Sequence, residues 1–204
     1  MSAATIAALV ALGFGVMLVR RRSFATILLT AQSLLLGIAA LTLAEGEGGL
    51  FVAGLILVVR ACALPALLVG IRRRTPEPGP VTPANTVVVR LFVAAVVALA
   101  AVAAVPPLGL ADPAAEHGAI ALLCLGIAIV AMRRPALLQV LGILVAENGV
   151  YLLALSVAGG LPVVIELGVL LDLALVVTVA AAFAQRIHGA LGSGDTDLLR
   201  GLRD

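Results

Sequence analysis

The sequence predicts an all-α fold, a polytopic bundle of transmembrane helices with seven spans. Three observations carry that expectation. Of 204 residues, 63% are apolar and 12% charged, and the mean hydropathy is +1.24, outside the usual range of a soluble globular domain. The apolar residues fall in long runs, each near the roughly 20 residues that cross a hydrocarbon core about 30 Å thick. Short joins, several of them charged, separate the runs.

In chain order, spans are expected at about residues 2–19, 24–44, 50–71, 86–105, 115–132, 136–158 and 162–186. The first starts almost at Met1 and ends in Arg20, Arg21 and Arg22, the reverse of the order in a cleaved signal peptide. The following joins are EGEGG at 45–49, RRR at 72–74, ADPAAEHG at 111–118, RR at 133–134 and AGG at 158–160, with Arg186 after the last run. Seven spans bring every basic join to one side. The positive-inside rule then sets the N-terminus outside and the C-terminus in the cytoplasm. With one Tyr and no Trp, the chain has almost no aromatic belt.

The Pro-rich stretch TPEPGPVTPANT at 75–86 divides the chain after the third run. Four regions follow: an N-terminal three-helix membrane region at 1–74, a cytoplasmic linker with the fourth helix and an outer join at 75–114, a C-terminal three-helix region at 115–187, and a cytoplasmic tail at 188–204. A loose match at an offset of about 112 residues sets Arg60 opposite Asp172, and Gln32 within three residues of the position opposite Glu147. In the tail, Asp195 and Thr196 precede LLRGLR, a short segment suited to a capped turn on a membrane or a peripheral partner.

The residues that ask for a function are the polar ones inside the runs. With a rise of about 1.5 Å per residue, Glu147 lies about 16 Å into the sixth run, Asp172 about 15 Å into the seventh, Glu166 about 6 Å, and Arg60 about 15 Å into the third. Charges at the midplane are costly and call for a partner or a task. One reading is a stretch of proton or ion path, in which Glu147, Asp172, Glu166 and Arg60 bias one another's protonation. The other is a static ion pair that holds helices together. Glu166 and Asp172 stand about 120° apart around a helix and do not form one carboxylate pair. Asn148 adjoins Glu147, and Tyr151, one turn further on, is placed to donate a hydrogen bond toward it. Gly142 and Gly149 suit close helix approach. Gln32 suits a hydrogen bond across helices, Gln139 lies near the end of its run, and Pro65 kinks the third run after Arg60.

Several classes are disfavoured. A net charge of +2, with the basic residues in short clusters, gives no nucleic-acid patch. Cys62 and Cys124 read as small buried hydrophobes, and neither they nor His117 and His188 have metal-ligand spacing. There is no phosphate-binding glycine loop and no nucleophile elbow, so no intrinsic catalysis is expected.

RRPALLQVLGILVAENGVYLLALS, LPVVIELGVLLDLALVV and GDTDLLRGLR together resemble component E of hydrogenase-4 and its relatives in formate hydrogenlyase and other complex I-like membrane assemblies. The resemblance is strongest from about Arg133 to Arg203. The last three runs are also similar to the small K subunit of respiratory complex I, whose second and third helices carry membrane-embedded glutamates; Glu147 and Asp172 fall at those positions, the latter as the shorter acid. The resemblance implies a hetero-oligomeric subunit without a redox centre of its own. Its implied partners are antiporter-like and quinone- or hydrogenase-module-like membrane subunits, with peripheral redox subunits whose centres are iron–sulfur clusters or nickel–iron. High Ala, Gly, Arg and Val usage fits a high-GC bacterium and hence a bacterial cytoplasmic (inner) membrane location. A stand-alone transporter and a purely structural membrane subunit stay open as alternatives.

Overall fold

The computed structural model describes residues 1–43, 51, 54–55, 57–59, 61–62, 86–107, 109, 112–133, 136–156 and 178. Five helices are bounded within them: α1 (Ala3–Leu18), α2 (Arg22–Leu43), α3 (Val87–Ala104), α4 (Pro113–Met132) and α5 (Ala136–Ala154). The described residues between 51 and 62 are also helical and lie against α2, where Gly37 faces Val58 and Gly54 faces Leu41.

The helix starts follow from short polar caps. The Ser2 side chain accepts from the Thr5 N–H at 3.1 Å, and Thr86 accepts from that of Val89 at 3.4 Å. Asp112 accepts from the N–H groups of Ala114 and Ala115, and Pro113, which has no N–H to leave unmade, opens α4. Helices α1, α3 and α4 end where Val19, Val105 and Arg133 turn extended. Within α2, Thr26 and Thr30 return their hydroxyls to the carbonyls of Arg22 and Thr26, so neither presents an unmade donor to apolar surroundings.

The caps also correct the span count. Among the described residues two helices, α2 and α4, are long and apolar enough to cross a membrane, not seven; α1, α3 and α5 are apolar but shorter. A hydropathy run counts apolar residues beyond the cap, whereas the helix stops at it: the run at 2–19 becomes a helix of 16 residues. The N-out, C-in orientation depended on seven crossings and is withdrawn with them. The runs expected at 50–71 and 162–186 lie partly and almost wholly outside the described residues.

The most extensive pairing is α4 with α5, an antiparallel hairpin across a short join. Its backbones nearly touch. A Cβ at Gly126 would stand 2.4 Å from the Ala146 nitrogen and 2.5 Å from the Gly142 oxygen, and one at Gly149 would stand 2.8 Å from the Ala119 oxygen. Small residues at these crossings let two apolar helices gain dispersion contact without a hydrophobic driving force between them. Leu122, Leu125 and Ile129 of α4 and Leu138, Leu141 and Leu144 of α5 are fully buried around them. Helices α1 and α2 pack against this hairpin, and α3 covers its α4 side. The N-terminal and C-terminal regions of the sequence therefore share one core.

The outer faces are apolar as well as the core, and several polar side chains are buried within it. Phe24, Ile27, Phe92, Leu99 and Ile127 are exposed, while Gln32, Ser33, Arg90, Glu116, Arg133 and Asn148 are buried. Together with the two long apolar helices, this pattern is consistent with membrane association.

Candidate functional site

Three polar layers are stacked along α1. The middle layer is built on Gln32 and Ser33 of α2 and Asn148 of α5. Asn148 donates Nδ2 to the Gln32 Oε1 at 3.0 Å and to the Ser33 Oγ at 3.1 Å. Ser33 lies 3.3 Å from the Asn148 Oδ1, and Gln32 donates Nε2 to the Leu9 carbonyl of α1 at 2.8 Å. A carbonyl already used within its own helix retains a second lone pair, which the Gln32 amide takes. Three helices are thereby fixed in register by neutral groups.

Glu147 precedes Asn148 on α5, and its position is half-buried, whereas Tyr151, one turn along, is buried. The middle layer therefore sets the rotation of the helix that carries the acid. Gln139 donates Nε2 to the Arg133 carbonyl at 2.9 Å, which satisfies a free carbonyl at the end of α4. Arg60, Glu166 and Asp172 lie outside the described residues, as do Pro65 and the tail, so the proposed charged row is represented here by Glu147 alone.

The second layer closes one end of the bundle. The N-terminal amine lies 3.2 Å from the Asp112 carboxylate, which also caps α4. The N–H of Ala115 above all, helped by the amine and the Ala114 N–H, holds the Asp112 pKa below its ordinary value against the opposing effect of burial. Glu116, in the first turn of α4, is buried at the helix end whose dipole favours a negative charge.

The third layer lies at the opposite end of α1. Arg90 of α3 donates Nη1 to the Met17 carbonyl at 3.2 Å. Arg133, at the end of α4, donates Nη2 to the same oxygen, to the Val19 carbonyl at 2.6 Å and more distantly to that of Val16. Burial, and then the neighbouring Arg90 charge, lower the Arg133 pKa to about 10, which still leaves it protonated at neutral pH.

Sequence reasoning did not single out Ser33, Arg90, Asp112 or Glu116. Arg90 had a legible signal, as the one charge inside the run at 86–105. The cysteines differ from expectation: Cys62 is exposed and Cys124 half-buried, because their helix faces turn outward. Among the described residues, no group of three or more His, Cys, Asp or Glu side chains could hold a metal ion.

The chain is similar to an uncharacterized protein, Rv0085, of Mycobacterium tuberculosis, with 29% identity over 154 residues that cover 73% of this chain and 70% of that protein. No protein-family model and no solved structure matches the chain. The descriptions hydrogenase-4 component E, complex I-like and proton translocation are accordingly corrected from properties of the chain to a proposal carried by the residue resemblance, and the seven-span description falls with the span count.

Proposed function

We propose that this chain is a non-catalytic membrane subunit of a hydrogenase-related, complex I-like assembly, and that it contributes acidic residues at mid-depth to a proton-translocation or coupling axis while scaffolding antiporter-like neighbours. The observation that supports the reading is the half-buried Glu147 on α5, beside the Asn148–Gln32–Leu9 bonds that fix that helix in the bundle. A carboxylate held at constant depth and orientation suits proton transfer to and from a fixed neighbour. Asp172, Glu166 and Arg60 are its proposed partners in the row, with Tyr151 as a donor toward Glu147.

The finer expectations belong to the same proposal: a multi-pass location in the bacterial cytoplasmic membrane, no redox centre in this chain, and iron–sulfur or nickel–iron centres in neighbouring subunits. The decisive experiment purifies the native assembly with Glu147→Gln or Asp172→Asn in this subunit. The expected result is an intact assembly whose proton pumping is lost or strongly reduced while electron transfer persists. Unchanged pumping in both variants would sink the proton-path reading.

A purely structural role is the second reading, and a specific observation favours it: the amide layer joins α1, α2 and α5 without any ionised group. It predicts that Asn148→Leu disrupts assembly whereas Glu147→Gln has no effect on pumping.

A further inference from the structure

The basic end of α1 is chemically incomplete. Arg90 and Arg133 are 1% and 3% exposed, and both donate to the Met17 carbonyl, so two positive charges stand side by side away from water. Among the described residues, neither forms an ion pair with a carboxylate. The C-terminus of α1 offers only about half an elementary negative charge in compensation. Four guanidinium nitrogens, Nε and Nη2 of Arg90 and Nε and Nη1 of Arg133, are buried without a hydrogen-bond acceptor. Unmade bonds at buried charged donors are among the costliest a fold can carry.

The unmade donors have a shape. Nε and Nη2 lie on one edge of the planar Arg90 group and form the parallel fork that grips two oxygens of an oxyanion. Arg133, which donates to the same Met17 oxygen, adds a second charge and two further unmade donors beside it. The two free oxygens of a lipid phosphodiester match the fork and its negative charge faces Arg133 as well, while inorganic phosphate would add a further free oxygen for Arg133.

We propose that Arg90 and Arg133 form a binding site for a phosphate group, supplied in the membrane by the headgroup of an anionic phospholipid. The lipid source is favoured by position. The site lies where α1 ends and α3 begins, the level at which helices leave hydrocarbon for headgroups. Helix α3 turns Arg90, Ala94 and Ala98 inward and leaves Val88, Phe92, Val96 and Leu99 exposed in a stripe starting at that same first turn. Such a stripe is an apolar wall for acyl chains descending from a headgroup held at the helix end.

The test uses the full chain in uncharged detergent, with phosphatidylglycerol, phosphatidylcholine or inorganic phosphate added. Native mass spectrometry reads lipid retention, and thermal unfolding reads stabilisation. The wild type is expected to retain phosphatidylglycerol about tenfold more strongly than phosphatidylcholine, and Arg90→Met to lose that preference. Arg90→Lys keeps the charge without the fork and should retain only part of it. The unfolding temperature should rise with phosphatidylglycerol for the wild type and not for Arg90→Met, with circular dichroism establishing that each variant is folded. If inorganic phosphate stabilises the wild type as much as the lipid does, the phosphate site stands and the lipid source is overturned. Equal phosphatidylglycerol retention by wild type, Arg90→Met and Arg133→Gln overturns the site itself.

Discussion

The middle of α1 and its basic end solve the same problem differently. Both tie α1 to other helices through a main-chain carbonyl, Leu9 in one case and Met17 in the other. At Leu9 the partner is a neutral amide, and its own oxygen is matched in turn by Asn148. At Met17 the partners are two like charges with donors to spare. A neutral network can close on itself inside one chain, whereas a cluster of one sign needs something from outside. The difference separates a layer that holds the fold from one that is suited to binding.

Five substitutions break or sharpen that contrast, and unfolding in detergent can rank them. The largest effect is expected away from both layers, at the α4–α5 crossing, where Gly126→Ala forces a methyl against the Ala146 backbone and should cost about 3 kcal/mol or more. Retention of wild-type stability there would contradict the close approach. Next, Asn148→Leu strands the Gln32 oxygen and should cost about 2–3 kcal/mol. Adding Gln32→Leu to it should cost less than the two single changes combined, since they share one network; simple additivity would show the layer to be independent pieces. Arg90→Met, in the absence of anionic lipid, should be close to neutral or stabilising by about 1 kcal/mol, because it removes a crowded buried charge and Arg133 still serves the Met17 carbonyl. A loss as large as that of Asn148→Leu would make the basic end a structural layer like the middle one.

The smallest effect belongs to the remaining layer, at the Asp112 end of the bundle. Asp112→Asn keeps an acceptor for the helix cap and removes the ion pair with the N-terminal amine, at a cost of about 0.5 kcal/mol after solvent screening. The folded pKa of Asp112 is depressed, so its contribution is fully present above the ordinary carboxylate pKa near 4 and is lost as pH falls through the lowered value. A titration of stability should show the wild type converging on Asp112→Asn in acid. Equal separation at every pH would assign the difference to the cap alone.

The legibility of this sequence varies with the range of the interaction. Helix placement is local, and the runs at 2–19, 115–132 and 136–158 coincide with α1, α4 and α5 to within a few residues. The number of crossings was not legible, since hydropathy sees composition while a helix ends at the caps that satisfy its backbone. Glu147 and Asn148 were visible as polar residues in an apolar run. That Asn148 faces Gln32, 116 positions away, was not; the proposed repeat only set Gln32 within three residues of the position opposite Glu147, a correspondence and not a contact. Arg90, the one charge in its run, was not singled out, and it turns inward to α1.

The sequence by itself determined that the described chain is helical, apolar on its outer faces and sparing with charge, because those properties follow from composition and periodicity along a few turns. Only the tertiary structure decided which polar groups meet. Pairings such as Leu9 with Gln32, Gln32 with Asn148, and Arg90 with Arg133 across Met17 depend on how three or four helices are rotated about their axes. That rotation is set by small residues at the crossings and by the full set of packed side chains, neither of which is encoded in any one run.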